Sequence, residues 1–246
     1  MKNLLASDQY RPQQNALLAA LPAAELDDME QDMELVSLTL GQVLYDAGQT
    51  MSHAYFPLDC IISLLYVMEN GDSAEIAIIG NEGIIGVPLF MGGESTQSRA
   101  IVQNAGHAYR LKAQMLKQVF HNGGSLQHLL LLFASALMTQ MVQTAACNRH
   151  HTVDQQLCLW MLLSLDRLPS NQISMTHKLI GNMLGLSDAN VTTAAGILQK
   201  ANLIHYDHGN ITVLDRPGVE KRSCECYSVV KTESDRLLPL SVAMEH

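Results

Sequence analysis

Positive charge is what this 246-residue chain has least of: 15 Lys and Arg stand against 24 Asp and Glu, a net charge of −9. So few cations argue against sequence-blind binding of nucleic acid, which needs a broad basic face. The deficit is uneven, with 7 basic against 14 acidic residues up to residue 150 and 8 against 10 beyond it. Cysteines are few and unpaired in pattern. Cys60, Cys147, Cys158, Cys224 and Cys226 are odd in number and lack CxxC spacing, which argues against a disulfide framework and an ordinary zinc site. No apolar run reaches the length of a membrane span, and no basic segment with a cleavage site opens the chain. A soluble cytoplasmic protein with reduced thiols, no metal and no cofactor is expected. Nearly half the residues are apolar, enough to fill one large core or two ordinary ones.

The most informative stretch runs from Ile173 to Leu214. Thr176 can cap a helix carrying Leu179, Ile180, Met183 and Leu184, and Gly185 ends it where a left-handed residue is needed. Ser187 caps a second helix that buries Val191, Ala194, Ala195 and Leu198 and turns Asp188, Asn190, Thr192 and Thr193 outward. His205 to Leu214 alternates around Asp207-His208-Gly209-Asn210, the turn chemistry of a hairpin. Helix, turn, helix and hairpin together outline a winged helix-turn-helix.

Residues 1 to 11 read as a loose arm, followed by short helices over Gln13–Leu21 and Ala23–Met33 that cover a sheet edge. From Glu34 to Leu111 come eight short β-type runs (LVSLTL, QVLY, AYFPL, CIISLLYVM, SAEIAII, IIGVPLF, RAIVQ, HAYRL), separated by Gly- and Asn-containing turns. That spacing predicts an antiparallel roll able to enclose a ligand. Leu126 to Cys147 has no Pro or Gly, and Leu126, Leu129 or Leu130, Phe133, Leu137, Gln140, Thr144 and Cys147 recur at near-heptad spacing. So apolar a helix must be buried on more than one side, against its own roll and against something further; the economical partner is its copy in a second subunit, with an ordinary core helix as the alternative. Asp154–Leu168 is a further helix, and Val219–Leu238 a final one. The fold class is α+β: an antiparallel β-roll with a long dimerisation helix, then a winged helix-turn-helix. The expected units are 1–124, 125–149, 150–218 and 219–246.

That order of parts resembles the Crp-Fnr superfamily of transcription regulators across nearly the whole chain. The likeness is carried by YFPLDCIISLL with ENGDSAEIAIIGNEGIIGVPLF, by QTAACNRHHTVDQQLCLWML, and above all by MTHKLIGNMLGLSDANVTTAAGILQKANLIHYDHGNITVLDRPGVE. The subgroup it most resembles has no assigned effector and also carries ACNR…H and CECY-like segments. The resemblance implies a cytoplasmic homodimer on a two-fold DNA operator, a small-molecule effector in the roll, and RNA polymerase as a further partner. Carried over by position, Thr176, His177, Ser187 and Asn190 would touch phosphates, while Asp188, Ala189 and Thr193 would face base edges. Lys178, with Thr192, completes the implied DNA-binding set, and Lys200, Arg216, Lys221 and Arg222 are supporting cations.

Two departures matter. The family's base-reading positions commonly carry arginine, and Asp188, Ala189 and Thr193 cannot make the bidentate contact to guanine. The implied effector pocket is Gly86, Val87, Ser98 and Arg99, where cyclic-nucleotide members carry Gly-Glu and Arg-Ser; Val87 cannot hold ribose hydroxyls, which argues against cyclic AMP.

Rival readings rest on fewer residues. Cys147, His150 and Asp154 share one face of a continued helix and could form a nucleophile, base and orienter. His150, His151, His205, His208, Cys224 and Cys226 are potential metal ligands whose spacings match no closed tetrahedral set. Neither is expected to act so, while redox sensing by Cys224 and Cys226 stays open. A sensor or adaptor that uses its winged domain to contact protein is the remaining alternative to DNA binding.

Overall fold

The computed structural model describes residues 9–168 and 170–238. Most of the expected N-terminal arm and the end of the chain lie outside the described residues.

Two short helices, α1 (Ala16–Ala19) and α2 (Ala23–Glu30), precede the roll. They do more than cover a sheet edge. Leu17 and Leu18 are fully buried, and Asn15 holds α1 in place: its amide donates to the carbonyls of Pro57 and Gly83, and its oxygen accepts from Leu17 and Leu18.

The roll has seven strands, β1 (Met33–Leu38), β2 (Val43–Tyr45), β3 (His53–Pro57), β4 (Ile61–Val67), β5 (Ser73–Ile79), β6 (Ser98–Asn104) and β7 (Gly106–Lys112). They form two antiparallel sheets, ordered β1-β7-β3 and β2-β6-β4-β5. The eighth expected run, IIGVPLF, is not a strand. Ile85 bridges to Tyr55, Gly86 then takes φ +115°, and Pro88 cannot donate to a ladder, so Val87–Phe90 closes into the short helix α3. A helix α4 (Ala113–Asn122), not anticipated from the sequence, closes the roll and stacks Phe120 on Phe90.

Helix α5 (Ser125–His150) is the 26-residue backbone of the molecule. By length and apolar composition it could cross a membrane. One side is buried on the roll, and another is covered by the last helix, α10 (Glu225–Leu237). After a two-residue break, α6 (Val153–Leu165) begins at a Thr152/Gln155 capping box and buries ten of its 13 residues, as a helix apolar all round must. Around it pack β8 (Gln172–Ser174), α7 (His177–Leu184), α8 (Asp188–Lys200), β9 (Ile204–Asp207), β10 (Asn210–Val213) and α9 (Arg216–Arg222). The wing has three strands, β8-β10-β9, one more than the expected hairpin. The single final helix expected over Val219–Leu238 is two, because Ser223 and Cys224 are extended between α9 and α10.

The halves share an apolar seam. Ile61, Leu65 and Ile78 of the roll join the core built on α6, which explains why β4 is buried along most of its length instead of alternating. A polar thread crosses the same seam: Ser63 donates to Gln103, and Gln103 donates to Ser164 of α6.

Candidate nucleic-acid interface and hinge

The winged domain forms locally as its sequence dictates. Thr176 caps α7 by accepting from the Leu179 amide, and Ser187 caps α8 by accepting from Asn190. Gly185 lies between them at φ +67°. In the wing turn His208 and Gly209 both have positive φ, as a tight two-residue hairpin requires. Leu179 departs from the apolar stripe assigned to it and is exposed.

Ser187, Asp188, Ala189, Asn190, Thr192 and Thr193 line an exposed face of α8, with Thr176 and Lys178 exposed on α7. Thr193 donates back to the Ala189 carbonyl. His177 behaves differently from the phosphate contact implied for it. Its ring stacks on Tyr206 with centroids 3.9 Å apart, its Nδ1 lies 2.9 Å from Thr192 Oγ1, and burial holds the imidazole below the usual histidine range, with Asp188 pulling the other way. It fastens α7, α8 and the wing together.

The supporting cations are fewer than the sequence suggested. Arg216 is bound by Asp166, Glu220 and the Tyr227 hydroxyl, and Arg222 by Asp154, so neither offers a free charge. Lys178, Lys200 and Lys221 make no ion pair among the described residues.

The implied effector residues are also committed elsewhere. Arg99 forms a bidentate pair with Asp46, both contacts at 2.9 Å, which neutralises the charge expected to face an anion. Ser98 is buried with its hydroxyl 3.2 Å from that of Thr96, and Val87 opens α3.

The dimer seam requires the largest correction. Leu126, Leu130, Phe133, Leu137 and Gln140 are buried within their own chain, and Thr144 is half-buried. Phe133 lies against Gly83 so closely that a Cβ there would fall 2.2 Å from its ring. Gln140 donates to the Ile78 carbonyl and accepts from Arg167. The near-heptad is real, but it serves the roll and α10. A second stripe on α5 stays open: Leu131, Met138 and Val142 are 48, 54 and 64% exposed, with His128, Ser135, Ala145 and Arg149 completing a regular three-four spacing.

Beyond the C-terminal end of α6, Arg167 ties that end to the middle of α5 and to the roll. Its guanidinium donates to Glu82 (2.7 Å), to the Leu163 carbonyl (2.6 Å) and to Gln140 (3.1 Å), with the side chain only 9% exposed. Glu82 belongs to the turn Gly80–Gly83, whose glycines allow the close approach: a Cβ on Gly80 would meet Arg167 at 2.8 Å. The triad reading fails at the hinge between α5 and α6. Cys147 is buried 3.5 Å from Cys224, His150 is exposed at the helix end, and Asp154 is held by Arg222 and Thr152. Burial and the neighbouring thiols push the Cys147 thiol up, opposite to an activated nucleophile. The sequence did not point to Arg167 or Glu82, because 85 residues separate two groups that are each ordinary surface residues by type.

Fold and site define a class, a two-domain regulator with a ligand-type roll coupled through a helical hinge to a winged helix-turn-helix. The cyclic nucleotide-binding domain family matches residues 35–122, and the Crp-like helix-turn-helix domain family matches residues 155–222. The chain belongs to the Crp-Fnr superfamily of transcription regulators. A Crp/Fnr-family transcriptional regulator from Eubacterium rectale is 12% identical with TM-score 0.65, over 83% of this chain and 96% of that one. FixK2 from Bradyrhizobium japonicum is 14% identical with TM-score 0.66, over 78% and 98%. A Crp/Fnr-family regulator from Thermus thermophilus is 20% identical with TM-score 0.59, over 77% and 98%. No curated protein matches significantly.

Proposed function

We propose that the chain works in the cytoplasm as a homodimeric, operator-binding transcription regulator whose α8 helices enter successive major grooves, under control of a small-molecule effector other than cyclic AMP. The observation that carries this reading is the Ser187-capped α8, which presents an uninterrupted exposed first turn beside a three-stranded wing. The exposed stripe Leu131, Met138 and Val142 supports pairing along α5, since an apolar row at coiled-coil spacing is what a second helix covers. Base reading rests on Asp188, which accepts from a cytosine amino group, and on apolar contact of Ala189 with a thymine methyl.

Selection of bound DNA from a random pool, followed by gel shift at low and physiological salt, tests the reading. A saturable two-fold site with a shallow salt dependence is the expected result, because few phosphates are neutralised. No binding even at low salt would favour the protein-contacting adaptor, which Asp188 and the neutralised Arg216 and Arg222 specifically support. Asp188→Arg should raise affinity for arbitrary duplex DNA roughly tenfold at low salt and steepen the salt slope by about one phosphate; an unchanged slope would remove Asp188 from the interface. Met138→Glu combined with Val142→Glu should shift the sedimentation coefficient from dimer to monomer, since four carboxylates would face one another across the seam. A dimer that persists unaltered would place the interface elsewhere.

A further inference from the structure

At the hinge, four side chains with soft donor atoms converge from two distant segments. Cys147 lies in the last turn of α5 and His151 caps that helix, while Cys224 caps α10 and Cys226 lies in its first turn. Their ligand atoms all fall within 4.8 Å of one another. We propose that Cys147, His151, Cys224 and Cys226 form a Cys3His site for a thiophilic divalent cation, best matched by zinc, which locks the C-terminal helix onto the hinge.

The distances fit that chemistry. A tetrahedral zinc with bonds of about 2.3 Å to sulfur and about 2.0 Å to nitrogen sets its ligand atoms roughly 3.5–3.8 Å apart. Cys147 Sγ and Cys224 Sγ are separated by 3.5 Å, and Cys226 Sγ and His151 Nδ1 by 3.6 Å. The histidine carries the support a metal ligand needs. With Nδ1 turned to the sulfurs, its Nε2 lies 3.4 Å from the Glu225 carboxylate, which fixes tautomer and ring orientation. Both α10 cysteines sit at the N-terminal end of a 13-residue helix, which holds their side chains toward the end of α5. On binding, each cysteine transfers its thiol proton to water as its sulfur–metal bond forms, with no change of oxidation state.

The spacing also accounts for the break between α9 and α10. Extended backbone at Ser223 and Cys224 is what lets both cysteines of Cys224-x-Cys226 face α5, which a continuous helix would not permit. Sequence spacing concealed the site, because the two halves lie 77 residues apart and close only when α10 packs along α5.

Purified, reduced full-length protein, handled without oxygen, provides the test. Elemental analysis should return about one zinc per chain. Cobalt titrated into chelator-stripped protein should give tetrahedral d–d bands and an intense thiolate-to-cobalt charge-transfer band. Cys224→Ser and Cys226→Ser should abolish the stoichiometric metal and the charge-transfer band. His151→Cys should retain metal with a shifted spectrum, and Cys60→Ser, buried in the roll, should change neither. Chelation should lower the thermal midpoint by roughly 5 °C or more in wild type and leave Cys224→Ser unaffected. A chain that takes up no cobalt with thiolate character, a band that survives Cys224→Ser in soluble protein, or a Cys147–Cys224 disulfide under these conditions would each overturn the proposal.

Discussion

Arg167→Ala is expected to destabilise the folded chain by about 3–5 kcal/mol, the range for breaking one side of a buried, hydrogen-bonded ion pair. The size follows from what is left behind. Glu82, with its side chain 21% exposed, would lose its counter-charge, and the Gln140 and Leu163 oxygens would lose a donor between the roll and the winged half. Arg167→Met paired with Glu82→Leu should recover much of the loss, since an apolar pair of similar volume needs no compensation. Urea unfolding of the single and double variants decides the matter, with the coupling energy read from the cycle. A loss below about 1 kcal/mol in Arg167→Ala would mean that the ion pair is merely a surface contact. The single variant should also separate unfolding into two transitions, because this side chain links the roll turn, the long helix and the winged half.

Glu75→Gln should flatten the pH dependence of stability in the neutral range. Glu75 is buried on β5 and lies cross-strand from Leu65, on the sheet face that the winged half covers; burial raises it to about 8, against smaller pulls from Ser63 and Arg167. In the window from the usual carboxylate range up to about 8, the folded chain keeps a proton that the unfolded chain has released. Stability from this group is therefore complete at acid pH, declines as pH rises through that window, and is lost above it. The total is on the order of several kcal/mol. Glutamine keeps the shape of the protonated acid without the slope. Denaturation of both proteins across the window measures the difference directly, and parallel curves would show that Glu75 is charged and solvated at neutral pH.

How much of this was legible in the sequence depends on the range of the interactions involved. Local chemistry was readable: the Thr176 and Ser187 caps, Gly185, the Asp207–Asn210 turn and seven of the eight strand runs stand where periodicity and turn residues put them. The family likeness was readable for the same reason. Which face of α5 meets which neighbour was not. A helix with Leu, Phe and Met on several sides offers two apolar stripes, and only packing shows that Phe133 and Gln140 belong to the roll while Leu131 and Met138 are left over. Charge is hidden in the same way: Arg99, Arg216 and Arg222 look like free cations until Asp46, Asp166 and Asp154 arrive from 53, 50 and 68 residues away. Cys147 and Cys224 follow the same logic.

Helix α1 is too short to hold together by itself, since a single turn cannot repay its nucleation. It persists because Asn15 is moored to the Gly83 carbonyl, on the very turn that carries Glu82 to Arg167. The amides of Leu17 and Leu18 therefore work as a built-in sentinel. Their exchange with solvent reports whether the turn is seated on Arg167, which gives an observer a view of the contact between the roll and the winged half from a segment packed on the roll and the long helix.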